Sequence, residues 1–132
     1  MEKGEARLDL GKAFNTVSVM INGQDLGLLW KPPYAIDLSG KLKPGANKLV
    51  LQVTNLWANR LIGDEQFPDD LTWDKRNLKE IPVWLDDISK RPEPRRKTFT
   101  TYKFFNKDSA LLPSGLIGPV FLHFVKTVPV SL

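Results

Sequence analysis

The fold is most clearly encoded in residues 21–65, which read INGQDLGLLWKPPYAIDLSGKLKPGANKLVLQVTNLWANRLIGDE. Just before this stretch, apolar and polar residues alternate from Val17 to Asn22, as they do in a half-buried β-strand. The Asn22-Gly23 pair that follows suits the positive φ angles of a two-residue hairpin turn. The pattern therefore predicts an antiparallel hairpin near residue 23.

Further strand and turn signals follow along the chain. Pro44-Gly45 separates the apolar segments 34–38 and 49–53, with proline fixing one φ angle of a turn and glycine allowing the next. Residues 99–104 and 120–125 alternate again, and both faces of each are partly apolar, which predicts central strands covered on two sides. About seven or eight such segments indicate an all-β sandwich or jelly roll.

The middle of the chain lacks this alternation. Residues 62–97 are interrupted by Gly63 and several prolines, and only residues 83–88 suggest a short helical turn. Loops of this length are usually functional or held by their own side chains. We therefore predict one domain over residues 1–132 with a long irregular insertion over about 62–97. The residues expected to fold back on the sandwich are Phe67, Leu71, Trp73, Leu78, Ile81, Trp84 and Leu85.

Composition sets limits on function. The 132 residues are 42% hydrophobic, which suffices for the core of a single domain. The absence of cysteine excludes disulfides and zinc-thiolate sites. No apolar run approaches the roughly 20 residues that span a bilayer, so no membrane contact is predicted. Residues 1–7 are charged and unlike a secretory signal, which suggests a segment of a longer protein.

The net charge of +4 comes largely from residues 90–97, which read KRPEPRRK. A nucleic-acid surface would interleave basic and aromatic residues, whereas prolines break this run and the next aromatic residue is Phe99. We predict a solvated loop that favours solubility, and no nucleic-acid partner.

Several motifs resemble glycoside hydrolases. Their order resembles the sugar-binding-like β-sandwich of the β-galactosidase family, glycoside hydrolase family 2, in three turn and strand motifs: Asn22-Gly23, 36–38 (IDL) and 43–47 (KPGAN). A closer resemblance is to the C-terminal β-sandwich of glycoside hydrolase family 106, the α-L-rhamnosidases. It is carried by residues 8–11 (LDLG), 29–33 (LWKPP), 54–64 (TNLWANRLIGD), 100–103 (TTYK) and 112–120 (LPSGLIGPV).

This resemblance implies a galactose-binding-domain-like jelly roll at the end of a much longer bacterial enzyme, extracellular or periplasmic. Its partner would be the catalytic domain, a barrel that carries the catalytic acids of the family. In those relatives the first strands lie upstream of the position of Leu8, so one edge of the sandwich is expected to be open or covered by residues 1–7.

The residues themselves offer no catalytic group. Glycoside hydrolysis needs two carboxyl groups on opposite sides of a sugar, whereas Asp69-Asp70 and Asp86-Asp87 are adjacent pairs whose side chains diverge. We expect solvated turn acids at both places. His123 is alone in a predicted strand, and Ser114 lacks the glycine-flanked elbow of a nucleophilic serine. No cofactor is expected, although a structural calcium ion held by backbone carbonyls with Asp37 or Asp64 stays open.

Sugar binding is one interpretation of the tryptophan and polar residues. Tryptophan rings stack on sugar faces and polar side chains bind hydroxyl groups, which gives the candidate contacts Trp30, Trp57, Asn59, Arg60, Asp64 and Trp73. The structural alternative is that Trp57 and Trp84 fill a core and that Arg60 and Asp64 form an ion pair. By resemblance, residues 57–64 are the segment that would reach the active-site rim.

Two functions therefore compete. The first is a non-catalytic accessory sandwich that supports the catalytic domain of a glycoside hydrolase. The second is an independent carbohydrate-binding module. A protein-interaction adaptor would be a third class, for which the sequence names no partner.

Overall fold

The computed structural model describes residues 5–93 and 96–125. The chain divides into two compact units: the sandwich unit, Met1–Leu56 with Pro113–Leu132, and the inserted unit, Trp57–Leu112. The inserted unit contains the predicted irregular segment and extends beyond it on both sides. The assignment of the whole chain to one domain stays a prediction.

In the described part of the chain, the strands are β1 Glu5–Asp9, β2 Lys12–Phe14, β3 Thr16–Ile21, β4 Gln24–Leu29, β5 Ala35–Asp37, β6 Leu49–Thr54, β7 Trp73–Asp74, β8 Asn77–Leu78, β9 Gly115–Gly118 and β10 Phe121–Val125. Helix α1 spans Ala58–Asp64, and a 3₁₀ turn spans Ile88–Lys90.

The sandwich unit contains two three-stranded antiparallel sheets, with strand orders β10-β1-β5 and β4-β3-β6, and a short β2-β9 pair. Strands β1 and β3 are the central strands, and the side chains that alternate inward from them are buried in one cluster. That cluster comprises Ala6, Leu8, Leu10, Ala13, Val17, Val19, Ile21, Tyr34 and Leu38. Each large apolar side chain buried there contributes about 1.5–3 kcal/mol. The predicted all-β sandwich is confirmed.

The predicted hairpin near residue 23 is also confirmed. Ile21 pairs with Gln24, and the two turn residues between them have φ angles of 52° at Asn22 and 85° at Gly23. The Asn22 side chain also forms hydrogen bonds with residues that are distant in sequence. Its Nδ2 donates to Oδ1 of Asn47 at 2.8 Å, and its Oδ1 accepts from the backbone N of Lys48 at 3.0 Å. The two turns recognised in the sequence are therefore joined to each other.

The turn at Pro44-Gly45 separates β5 from β6 as predicted, and Gly45 has a φ of 81°. These two strands do not pair with each other. β5 pairs with β1 and β6 pairs with β3, so the segment between them passes from one sheet to the other. Turn chemistry locates such a segment, but it does not say which sheet the next strand joins.

The strand predicted over residues 99–104 is wrong. Only an isolated bridge from Tyr102 to Asn77 is present there. The Thr100 hydroxyl accepts from the backbone N of Tyr102 at 3.0 Å and donates to the Tyr102 carbonyl. Threonine side chains that bond to nearby backbone compete with strand pairing in this way.

Two predictions about sheet edges are corrected as well. β10 was expected to be central and covered on both sides, yet among the described residues it is the outer strand of its sheet, and all five of its residues are exposed. Residues 1–7 were offered as an edge cover. Residues 5–7 instead belong to the central strand β1, and residues 1–4 lie outside the described residues.

The inserted unit has little regular structure. Helix α1 was not predicted, and it lacks the side-chain N-cap that marks helix starts in a sequence. Asp87 caps the 3₁₀ turn by accepting from Ser89 N at 3.1 Å. Of the apolar residues expected to be held by packing, Trp84 is buried, whereas Ile81 is 75% exposed.

Candidate functional site

The centre of the inserted unit is a buried ion pair. Arg91 Nε donates to Asp70 Oδ2 at 2.5 Å, and both side chains are 4% exposed. Arg91 also donates from Nη2 to the Thr98 carbonyl at 2.6 Å, and its guanidinium lies 4.4 Å from the ring centroid of Trp84. Trp84 Nε1 donates to the Asp70 carbonyl at 3.2 Å. These contacts join residues 70, 84, 91 and 98 of the inserted unit to one another.

A second buried arginine has all its nitrogens engaged. Arg96 Nη1 donates to Glu65 Oε1 at 2.9 Å, and Nη2 contacts Asp69 Oδ1 at 2.9 Å. Nε and Nη2 donate to the carbonyls of Pro68 and Phe67 at 3.1 and 3.0 Å. A planar guanidinium can bind several acceptors at fixed angles, so Arg96 orders the whole turn around Phe67 and Pro68.

These contacts correct two predictions. The basic run 90–97 was expected to be solvated, and the prediction is wrong for Arg91 and Arg96, which are each 6% exposed. Lys90 and Lys97 are exposed as predicted, and residues 94 and 95 lie outside the described residues. The pair Asp69-Asp70 was also expected to be solvated, yet Asp70 is buried. Their ion-pair partners lie 21 or more residues away in sequence, so local charge patterns could not reveal them.

Asp64 is one of the predicted contact residues, and its carboxylate is buried with 1% exposure. Oδ2 accepts from the backbone N of Lys97 at 2.9 Å, from the backbone N of Thr98 at 2.7 Å and from the Thr98 hydroxyl at 2.7 Å. The expected partner Arg60 is at 3.9 Å from Oδ1 and is 55% exposed. Asp64 therefore anchors the 97–98 backbone to the end of α1, and the ion pair is a minor contact.

The other candidates on α1 differ in their surroundings. Asn59 exchanges two hydrogen bonds with the backbone of Leu112, each at 2.8 Å. Trp57 precedes the helix and is 67% exposed, so the alternative that Trp57 fills a core is wrong. The structure brings Trp57, Asn59, Arg60 and Asp64 together on one short element, with Asn59 and Asp64 holding it and Trp57 and Arg60 directed to solvent.

Trp73 lies in β7 beside charged groups. Its Nε1 donates to Asp69 Oδ1 at 3.2 Å, and Lys103 Nζ is 5.6 Å from the ring centroid. Lys103 also pairs with Asp69 Oδ2 at 2.8 Å and with Glu65 Oε2 at 3.3 Å. We call Glu65, Asp69, Arg96 and Lys103 the ion-pair network. The sequence analysis did not predict this network, because the four residues do not follow any spacing pattern that would indicate ion pairs between them.

The network shifts two pKa values. Burial alone would raise the pKa of Asp69, but the hydrogen bond from Lys103 and the charge of Arg96 hold it below its ordinary value. Burial alone would lower the pKa of Lys103, but Asp69 and then Glu65 raise it. A general acid for glycoside cleavage needs a raised carboxyl pKa, so the shift at Asp69 favours ion pairing and opposes that role.

The inserted unit also encloses a cavity of about 20 Å³, lined in part by Asp70, Trp73, Thr98 and Tyr102. That volume holds about one water molecule and excludes a sugar ring.

Trp30, the remaining candidate, belongs to the sandwich unit and is 64% exposed. Lys31 Nζ lies 4.9 Å from the centroid of its ring. A separate groove of about 640 Å³ in this unit is lined by Glu5, Ala6, Arg7, Ala35, Ile36, Asp37, Ser39 and Val125. Its size is that of a small-molecule pocket, but none of these lining residues is aromatic.

Within residues 5–93 and 96–125, no group of three or more histidine, cysteine or acidic residues is placed to hold a metal ion. At Asp37, Oδ1 accepts from the Ser39 hydroxyl at 2.5 Å and from Ser39 N at 2.9 Å, which lowers the pKa of Asp37. A calcium ion at Asp37 or Asp64 stays a prediction. The helices among the described residues are also too short to serve as a membrane span.

The chain is similar to short segments of two proteins that carry glycosidase names. No family model matches the chain. It is 46% identical over 116 residues to a protein of Formosa agariphila described as "Putative beta-glucuronidase". The aligned residues make up 88% of this chain and 10% of that protein. The solved structure of a rhamnosidase from Novosphingobium sp. PP1Y matches with a TM-score of 0.64 and 32% identity over 92% of this chain and 9% of that one.

The chain is therefore an all-β segment homologous to part of larger glycoside hydrolases. It spans about a tenth of the length of each relative.

Proposed function

We propose that this chain is a non-catalytic accessory β-sandwich of a bacterial glycoside hydrolase, and that it packs against and supports the catalytic domain. The observation that carries the proposal is the match itself: nearly the whole chain aligns, yet it accounts for only 10% of a glycosidase. So small a share leaves ample chain outside the match for a catalytic domain.

The finer assignment is a galactose-binding-like jelly roll of the family 106 type, from an extracellular or periplasmic enzyme. The 32% identity to a rhamnosidase over 92% of the chain supports this type. The parental substrate would then be a glycoside with a rhamnose-like or uronic sugar, in line with the names of the two relatives.

The geometry of α1 supports a more specific role. Asn59 and Asp64 hold the helix through backbone contacts at Leu112 and at residues 97–98, while Arg60 remains 55% exposed. A short element fixed at both ends can present a side chain without the entropic cost of ordering a free loop. We propose that Trp57 and Arg60 are presented toward the substrate site of the parental enzyme.

The test uses the enzyme encoded by the full reading frame. Arg60→Ala should lower kcat/KM about tenfold, the effect of losing about 1.4 kcal/mol of transition-state binding. Thermal stability should stay unchanged, because the Arg60 ion pair is exposed. Arg76→Ala, at an exposed arginine of the same unit, is the matched control and should leave the kinetics unchanged. Equal kinetics for Arg60→Ala and wild type would remove Arg60 from the site.

The competing function is an independent carbohydrate-binding module, favoured by the exposure of Trp30. A glycan array with the 132-residue chain separates the two. Binding at millimolar or lower Kd that is lost in Trp30→Ala or Trp73→Ala would favour the module. No binding by the chain, together with activity of the full enzyme, would favour the accessory role.

A further inference from the structure

The strand β10 has an unusual environment for its composition. It reads FLHFV, and every residue in it is exposed. Leu122 is paired with Leu8 and Phe124 with Ala6, so these two side chains point to the core side of the sheet. Leu8 and Ala6 are 3% exposed, whereas Leu122 is 44% and Phe124 is 71% exposed. The covering layer that buries β1 therefore does not reach β10.

The other side of β10 also lacks cover. Phe121 and Val125 are 52% and 49% exposed, and the outer backbone edge of β10 has no paired strand among the described residues. Edge strands that face water usually carry lysine, proline or an inward charge that prevents further pairing. β10 carries none of these, and its one polar residue is His123. Its composition is that of a strand inside a sheet.

We propose that β10 is a docking edge for a further β-strand supplied by the parental polypeptide, which pairs with its backbone and places its own core-side side chains beside Leu122 and Phe124. The incoming strand would be extended, at least about five residues long to match β10, and apolar on its core-side face. This inference rests on the proposed function, because it takes the strand from the remainder of a longer glycosidase.

The extent of the relatives favours this occupant over others. About nine tenths of each relative lies outside the matched segment, so a covering strand in the same chain is available at high effective concentration. A second copy of this chain could pair edge to edge through its own β10. Its Leu122 and Phe124 would then be as exposed as those of the first copy, so neither pair would be buried. A helix would cover the side chains without satisfying the backbone edge.

The experiment measures, in the full-length parental enzyme, the hydrogen exchange of those amides in Phe121–Val125 that point away from β1, because the others are already paired with β1. We expect protection comparable to that of β1, and at least about tenfold slower exchange than in the 132-residue chain alone. Phe124→Lys in the parental enzyme should remove that protection. Val83→Lys, at a residue that is 90% exposed, is the matched control and should leave it unchanged.

Each other outcome overturns the inference. An active parental glycosidase whose outward-facing β10 amides exchange as fast as exposed amides would overturn this inference alone. A reading frame without a glycosidase would overturn the proposed function as well. If the 132-residue chain forms a dimer that Phe124→Lys dissociates, with β10 protected only in that dimer, then the occupant is a second copy and the proposal is wrong.

Discussion

Each of the two units is stabilised internally by a different kind of interaction. The sandwich unit buries a continuous apolar cluster between two sheets, with Val17 and Val19 at 0% exposure. The inserted unit buries charged groups instead, and distant parts of its chain are joined by contacts of Asp64, Asp70, Arg91 and Arg96. An apolar core tolerates small changes in side-chain geometry, whereas a buried charge is destabilising unless its partner is in place. The inserted unit should therefore lose more stability when a single buried charged residue is replaced.

The largest expected effect is from removal of one partner of the buried pair. Asp70→Ala leaves the Arg91 guanidinium buried without its carboxylate, which should cost about 3–5 kcal/mol in free energy of unfolding. The change is measured by urea denaturation monitored through tryptophan fluorescence, since Trp84 contacts both residues. The double variant Asp70→Leu with Arg91→Met is the control and should lose much less, because no charge is left unpaired. A double variant as unstable as Asp70→Ala would refute this explanation.

A smaller loss is expected in the apolar unit. Leu10→Ala removes a side chain that is 0% exposed and should cost about 3 kcal/mol, within the usual range for a core leucine. Leu28→Ala, at a leucine of β4 that is 55% exposed, should cost well under half as much. Similar losses for the two variants in urea melts would contradict the assigned core.

The smallest effect concerns pH. The Asp69 pKa is lowered below 3.8, so its contribution to stability is present above pH 3.8 and is lost as the pH falls through the lowered value. The Lys103 pKa is raised above 10.5, so its contribution is present below pH 10.5 and is lost as the pH rises through the raised value.

Lys103→Gln tests this pH dependence. The variant should lose the part of the alkaline decline in thermal stability that Lys103 causes, and 0.5 M salt should reduce the difference from wild type. Leu10→Ala provides the comparison, since it should lower stability by a similar amount at every pH. An unchanged alkaline decline in Lys103→Gln would exclude Lys103 as its source.

The sequence by itself determined the sandwich. Alternation in Val17–Ile21, the Asn22-Gly23 pair and the Pro44-Gly45 turn encode local geometry, because backbone φ preferences and side-chain alternation act between near neighbours. The motifs quoted in the sequence analysis predicted the class of proteins, glycoside hydrolases, to which the chain is similar. The choice of Trp30, Trp57, Asn59, Arg60, Asp64 and Trp73 as contacts stays a prediction, although the structure separates the exposed from the buried among them.

Only the tertiary structure decided the inserted unit and the sheet edges. Asp70 pairs with Arg91, and Asp64 with the backbone at Thr98, across 21 and 34 residues, and no local pattern encodes a partner at that distance. The exposure of β10 likewise could not be predicted from its sequence. The sequence of a strand shows which side chains are apolar, but it does not show whether another layer of the fold covers them. Long-range pairing and coverage depend on how the whole chain packs, and they appear only once it has folded.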